Sequence, residues 1–273
     1  MPDVRPSVDR SFFETSGLNV ATYDLRHPVG LEGTPIAGDA AFYRSVAEDT
    51  GGPILELACG TGRITFLLAE AGFEVIGLDR SRPMLDVARA KLERADAAIA
   101  ARIGLVEGNM MDFQMGRRFA LVLIAFRAFQ ALLTPELQRA CLRQVHAHLR
   151  PGGLLVLDLF DPLLDRCTPD APPMAIQRPT ALLSNGHSVA VSVVERRNDP
   201  LTQTIRERWR FVESDPDGGE VRVEEELLAL RWTYRYELRH LLELTGFSVR
   251  EEFSDFDRSP PRYGGEIVAV ARA

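Results

Sequence analysis

The sequence predicts an α/β fold built on a mainly parallel sheet with helices on both faces. Three observations carry that expectation. Apolar runs of strand length alternate with helix-length amphipathic runs across residues 53–160. A glycine-rich turn, Cys59-Gly60-Thr61-Gly62, joins the first strand to the first helix of that series. A second strand then runs into Asp79, so strand, turn, helix and strand form a βαβ unit that ends in a carboxylate.

Taken in order, residues 1–38 carry Pro28, Gly30, Gly33, Pro35 and Gly38, which break any periodicity and predict a loop-rich N-terminal segment. A helix is expected after Asp39, carrying Phe42 and Val46. There follow strand 53–57, helix 63–71, strand 74–78, helix 83–94, strand 102–107, strand 119–125, helix 135–149 and strand 153–160. Ser81 is a good N-cap with Pro83 in the first turn, and Thr134-Pro135-Glu136 repeats that opening. Pro151-Gly152-Gly153 stops the helix and starts the fifth strand. Strands that alternate with helices must cross over, which gives a parallel sheet buried on both faces.

After Asp161 the texture changes. Residues 162–179 are proline-rich and irregular, then 189–194 and 202–212 flank Asn198-Asp199-Pro200 as two antiparallel strands and a turn. A third strand, 221–232, follows Asp215-Pro216-Asp217-Gly218-Gly219. This block is expected as an inserted antiparallel cap that covers the active-site mouth, forms a subunit interface, or does both. A helix over 236–245 stopped by Gly246, with strands 247–253 and 266–271, completes a sheet of seven. The expected division is therefore an N-terminal segment 1–38, a core of 39–185 with 234–273, and the inserted cap 186–233.

The 273 residues, 45% hydrophobic and 26% charged, suit one large domain with an elaboration. A net charge of -7 argues against nucleic acid as the principal substrate, because phosphate-backbone binding calls for a basic face. Cys59, Cys141 and Cys167 show no metal-binding spacing, nor does any histidine pair with a carboxylate at ligand spacing, so no metal is assigned. The N-terminus has no apolar signal region, and no window reaches the about 18 apolar residues that a membrane span needs. A soluble cytoplasmic protein with reduced thiols is expected.

The run Glu56-Leu57-Ala58-Cys59-Gly60-Thr61-Gly62, with Asp79 closing the next strand, resembles motif I of the class I S-adenosylmethionine (SAM)-dependent methyltransferases. A dinucleotide-binding loop would need a third small residue where this chain has Thr65. The resemblance covers residues 40–160 and 235–273 and implies a Rossmann-like sheet of seven strands, mostly parallel, with the seventh antiparallel. It implies SAM as cofactor and S-adenosylhomocysteine (SAH) as product. Glu56 would organise the methionine end of the cofactor or brace the glycine loop. Ala58, Gly60, Thr61 and Gly62 would make close backbone contacts, and Asp79 would accept hydrogen bonds from the ribose diol. Arg80 and Met84 would wall the adenine, Met84 being equally readable as helix core. The loop carrying Asn109, Met110 and Met111 would line the adenine pocket, with Asn109 in place of the usual acid and Asp112 as the alternative. Ala125 ends the fourth strand beside the cofactor. Residues 108–119 and Tyr23-Asp24-Leu25-Arg26-His27 also look like segments of bacterial sugar N,N-dimethyltransferases. Tyr23 would then close the site, or pack on the surface.

On the acceptor side, Arg127 follows the fourth strand, where its planar fork could clamp a carboxylate or phosphate, or pair structurally with Glu56, Asp158 or another acid. Gln130, Tyr23 and Trp209 complete the acceptor-pocket candidates, Trp209 being equally readable as cap core or dimer interface. No general base is assigned. The expected function is methyl transfer from SAM to a small-molecule amine or hydroxyl, with an anionic acceptor as the consequence of Arg127. The alternative is a SAM-binding sensor or assembly partner without transfer activity; an oxidoreductase is disfavoured by Thr65. The expected partners are a small-molecule substrate and a second copy of the chain through the cap strands.

Overall fold

The computed structural model describes residues 10–30, 36–169, 171 and 181–273. Gly33, Pro35 and half of the proline-rich stretch read above lie outside the described residues. In chain order the elements are β1 (Arg10–Ser11), α1 (Leu18–Ala21), α2 (Tyr23–Arg26), α3 (Asp39–Thr50), β2 (Ile54–Leu57), α4 (Arg63–Glu70), β3 (Val75–Asp79), α5 (Arg82–Leu92), α6 (Ala97–Ala100), β4 (Ile103–Glu107), β5 (Phe119–Ile124), α7 (Pro135–His148), β6 (Leu149–Phe160), β7 (Ala181–Leu182), β8 (Ser188–Asp199), β9 (Thr204–Ser214), β10 (Glu220–Arg231), α8 (Arg235–Leu244), β11 (Ser248–Phe253) and β12 (Glu266–Arg272). They fall into two compact units, one of Met1–Pro28 with Leu164–Leu230 and one of Val29–Leu163 with Arg231–Ala273.

The larger unit holds a seven-stranded sheet in the order β11-β12-β6-β5-β2-β3-β4. Strands β2 to β6 run parallel, and β12 is antiparallel to both β6 and β11. Every residue of β2 and β5 is buried, as it must be in a sheet covered on both faces. On one face α7 and α8 supply Leu142, Val145, Leu238 and Leu242; on the other α3 and α4 supply Phe42, Val46, Ile64 and Leu68. The predicted N-caps form: Ser81 Oγ accepts from Met84 N at 3.2 Å and Thr134 Oγ1 from Leu137 N at 3.3 Å. β6 begins at Leu149, four residues before the predicted start, because Leu149 pairs with Phe119 ahead of an irregularity in the ladder. The chain leaves β2 toward β3 on one side and β5 toward β6 on the other, so the strand order reverses between β2 and β5. Ligands of open α/β sheets gather outside the carboxyl ends of the strands at such a reversal.

The smaller unit is a five-stranded sheet, β1-β10-β9-β8-β7, outside the seven-stranded one. β8 and β9 form the antiparallel pair expected around Asn198-Asp199-Pro200, with β8 longer than the sequence suggested. The N-terminal segment differs from its loop-rich expectation. β1 adds to β10 as a parallel edge strand, Phe12 N donates to Leu227 O at 3.0 Å, and Leu18 N donates to Glu224 Oε2 at 2.6 Å. A two-residue strand paired with residues more than two hundred positions away leaves no local periodicity to read. Trp232, read as the end of the inserted block, belongs to the larger unit and is buried, while Tyr234 and Tyr236 lie at the start of α8 and are exposed. Among the described residues, no helix is long and apolar enough to cross a membrane.

Candidate active site at the carboxyl ends of the parallel strands

The glycine turn leaves β2 through left-handed backbone at Ala58 (φ 57°), Gly60 (φ 57°) and Gly62 (φ 81°). Glycine accepts that conformation freely, but at Ala58 it is sparsely populated and must be held by its surroundings. Asp79 does much of the holding. Its Oδ2 accepts from Gly60 N and its Oδ1 from Ser81 N, each at 2.7 Å, so one carboxylate ties the turn to the start of α5. Burial pushes the Asp79 pKa up, opposed by those two amides. A carboxylate oxygen has more than one lone pair, so a ribose diol can share the acceptors that already serve these amides. Met84 is buried with its Cε where a side chain on Gly60 would begin, so it packs under the turn.

Behind the turn lies a buried carboxylate. Glu56 on β2 accepts from the Thr65 hydroxyl on α4, and burial pushes its pKa up to about 7. Thr65, a departure from the dinucleotide pattern, is thus the partner of the acid in this loop. Its room comes from Gly77, opposite Glu56 on β3: a Cβ there would lie 2.8 Å from Cys59 Sγ and 2.9 Å from Thr65 Oγ1. Gly77→Ala is expected to lower stability by about 1–3 kcal/mol through overpacking. Denaturant titration would show it, with partial recovery when Cys59→Ala removes one blocking atom; an unshifted midpoint would mean that the strand has room.

The end of β5 is a second strained turn. Phe126 (φ 58°) and Arg127 (φ 61°) are consecutive left-handed residues without glycine. Their amides both point at Asp158 on β6, at 2.8 Å to Oδ1 and 2.8 Å to Oδ2, and the Tyr43 hydroxyl on α3 donates to the same carboxylate. Asp158 is fully buried, and its pKa is pushed up by that burial. Arg127 does not keep its fork open for an acceptor anion: Nε donates to Glu266 Oε2 at 3.1 Å, the terminal amine to Oε1, and the guanidinium lies over the Phe160 ring at 5.7 Å. Of the two readings of Arg127, the geometry shows the pairing with an acid, here Glu266 at the start of β12. Gln130 is buried in the short 3-10 turn that follows, its Oε1 accepting from Phe160 N at 3.1 Å.

Burial pushes Glu266, like Glu56, up to about 7 from an ordinary 4.5. Through that window the folded protein keeps protons that the unfolded chain has released, so stability falls as pH rises from about 4.5 to about 7. Each acid contributes up to about 3 kcal/mol to that fall. Thermal melts should therefore show a higher Tm near pH 5 than near pH 8, with Glu266→Gln flattening part of the slope. A Tm that rises across this range would contradict the burial of both acids.

The carboxyl ends of β2, β3 and β5 carry Glu56, Ala58, Gly60, Thr61, Gly62, Asp79, Arg80 and Ala125. Thr61 and Ala125 are buried and Arg80 is exposed. Asn109 is exposed at the end of β4, with its Oδ1 accepting from Met111 N at 3.0 Å, while Met110 and Met111 pack on the apolar core. Two predicted residues lie in the other compact unit. Tyr23 is buried against Phe13 and His27, and Trp209 sits in the core of the five-stranded sheet, its indole N–H donating to Glu207 at 3.0 Å. Trp209 thus takes the cap-core position that was one of its readings. Sequence reading missed Tyr43, Gly77 and Glu266 and gave Asp158 no role of its own. Asp158 could have been found, because an acid within Leu154–Phe160 interrupts an apolar central strand.

Residues 54–153, from β2 into the fifth parallel strand, match the family model described as a methyltransferase domain. The match is confined to that segment, which carries the sequence pattern of a methyltransferase domain. The chain is 37% identical over 154 residues to a cypemycin N-terminal methyltransferase of a Streptomyces species, covering 56% of this chain and 58% of that protein. Over 106 residues it is 35% identical to a dTDP-3-amino-3,4,6-trideoxy-alpha-D-glucopyranose N,N-dimethyltransferase of Streptomyces venezuelae, covering 38% and 41%. The chain thus spans about half the length of the curated relatives it matches. Among solved structures, the CcbJ methyltransferase from Streptomyces caelestis superposes with a TM-score of 0.73 at 27% identity, covering 97% of this chain and 99% of that one. The site's chemistry fits SAM, the cofactor that the motif around Glu56 and Asp79 implies. Glu56 buried behind the turn, and Thr65 where a dinucleotide fold has a third small residue, suit a cofactor without a pyrophosphate. Arg63, the cation that follows the methyltransferase turn, is already paired with Asp39.

Proposed function

We propose that this chain transfers a methyl group from SAM to the amine of a small molecule. The observation that carries the amine is the balance of charge past β5, β6 and at the start of β12: Glu266 pairs Arg127, Asp158 holds the Arg127 amide, and Asp161 acts on Glu266, so three acids share one arginine. Surplus acid favours an acceptor that arrives as an ammonium over the anionic one that Arg127 alone suggested; that ammonium loses its proton to water before its nitrogen lone pair displaces the sulfonium. SAM supplies an activated methyl on a positive sulfonium. The protein's part is to hold the ribose on Asp79, shape the turn, exclude water and keep the acceptor nitrogen in line. The similarity to proteins named as an N-terminal methyltransferase and an amino-sugar N,N-dimethyltransferase supports the same class. This reading keeps nucleic acid out of the substrate range on the net charge of -7, places the protein in the cytoplasm and gives the five-stranded sheet as the contact for a second copy.

The test is a panel of amino sugars and simple primary amines against matched alcohols and carboxylates, read by mass spectrometry. Methylated amines with stoichiometric SAH are expected. Calorimetry showing tight NAD binding and none for SAM would remove the proposal, and SAM binding without any product would return the sensor or assembly reading.

A further inference from the structure

Helix α3 carries two buried polar residues one turn apart, Asp39 and Tyr43, on one face. Each ends on a different strained turn. Asp39 accepts both terminal nitrogens of Arg63, the residue that follows the glycine turn and begins α4; the Oδ1 contact is 2.9 Å. Tyr43 donates to Asp158, whose two oxygens hold the amides of Phe126 and Arg127. The turns also meet directly, with the Arg63 guanidinium over the Phe126 ring at 5.5 Å. So the loops after β2 and β5, the two strands at which the sheet order reverses, are tied to a single helix that belongs to neither.

Neither bond is explained by α3's own folding. The helix already packs through Phe42, Val46 and Ala47, and a tyrosine hydroxyl or a carboxylate adds nothing to that apolar face. A buried ion pair such as Asp39–Arg63 is weak as a source of stability and strong as a constraint on geometry. The left-handed conformations at Ala58, Phe126 and Arg127 persist only when over-determined by neighbours, and these two bonds supply part of that determination.

We infer that Asp39 and Tyr43 are positioning residues, which fix the two turns at one separation and thereby set affinity for the cofactor that lies between the ends of β2 and β5. The inference rests on the SAM reading of that crevice. Neither residue is assigned contact with ligand, and each acts through a partner, Arg63 or Asp158.

The experiment uses the full chain with Asp39→Asn, Tyr43→Phe and the double variant. Amide hydrogen exchange follows peptides 57–66 and 124–132, calorimetry measures SAH affinity, and thermal melts record stability. Asp39→Asn should raise exchange in 57–66 and Tyr43→Phe in 124–132. Each should weaken SAH binding about tenfold, the size of one lost charge-assisted hydrogen bond. The double variant should lose less than the product of the two, because both act on one separation. A fall in Tm with SAH affinity within about twofold in both single variants would make the residues merely structural and overturn the inference, as would unchanged exchange in both peptides. Absence of SAH binding by the wild-type chain would instead end the proposed function, while the exchange pattern would still decide whether α3 braces the turns.

Discussion

Asp79→Ala is expected to weaken SAM and SAH binding by about 1.5–3 kcal/mol, the range for losing a charge-assisted hydrogen-bond partner. The loss has two sources. The ribose would lose its acceptor, and Gly60 N and Ser81 N, now held at 2.7 Å each, would lose theirs. The second source loosens the turn that carries Ala58 in its left-handed conformation, so the effect should sit at the upper end of the range. Asp79→Asn separates the two: an amide keeps one acceptor oxygen and surrenders the other to an N–H, so it should retain one backbone tie and bind better than alanine. Calorimetric titration of both variants with SAH is the measurement. An unchanged dissociation constant in Asp79→Ala would put the ribose elsewhere.

The βαβ unit around Asp79 was legible because its determinants are local. A strand, two glycines, a helix and an acid follow one another within Ile54–Asp79, and turn chemistry depends on neighbours in sequence. The same holds for the caps Ser81 and Thr134. What escaped was the set of contacts closed across long separations. Arg127 finds Glu266 139 positions away, and Tyr43 finds Asp158 115 positions away. Strand β12 brings Glu266 to the end of β6 because it runs antiparallel there, opposite Phe160. Nothing near Glu266 in the sequence announces that register. Gly77 escaped for a different reason: a lone glycine in a strand reads as weak β-propensity, and only the facing side chains of Cys59 and Thr65 show that it is a close approach. Position at a strand's carboxyl end was correctly read for Arg127, but position does not tell which partner the fork takes.

Arg127→Leu should therefore lower stability before it alters acceptor choice. The change leaves Glu266 buried without its cation, at a cost of about 2–3 kcal/mol; the arginine side chain stays 30% exposed, which places the loss below that of a fully enclosed pair. The pH dependence identifies the cause. Arg127 holds the Glu266 pKa down against burial, so its removal drives that pKa above about 7. Below the shifted value the acid takes a proton and the vacancy is cheap; above it a bare carboxylate is buried. The Tm deficit should thus be small near pH 5 and grow toward pH 8. Adding Glu266→Leu should restore much of the stability, since a buried pair replaced by apolar groups is close to neutral. Arg127→Lys keeps a charge but loses the fork, and should fall between. Full stability in Arg127→Leu, with activity lost only on carboxylate-bearing or phosphate-bearing acceptors, would restore the anion clamp and remove the acid-surplus basis for an amine substrate.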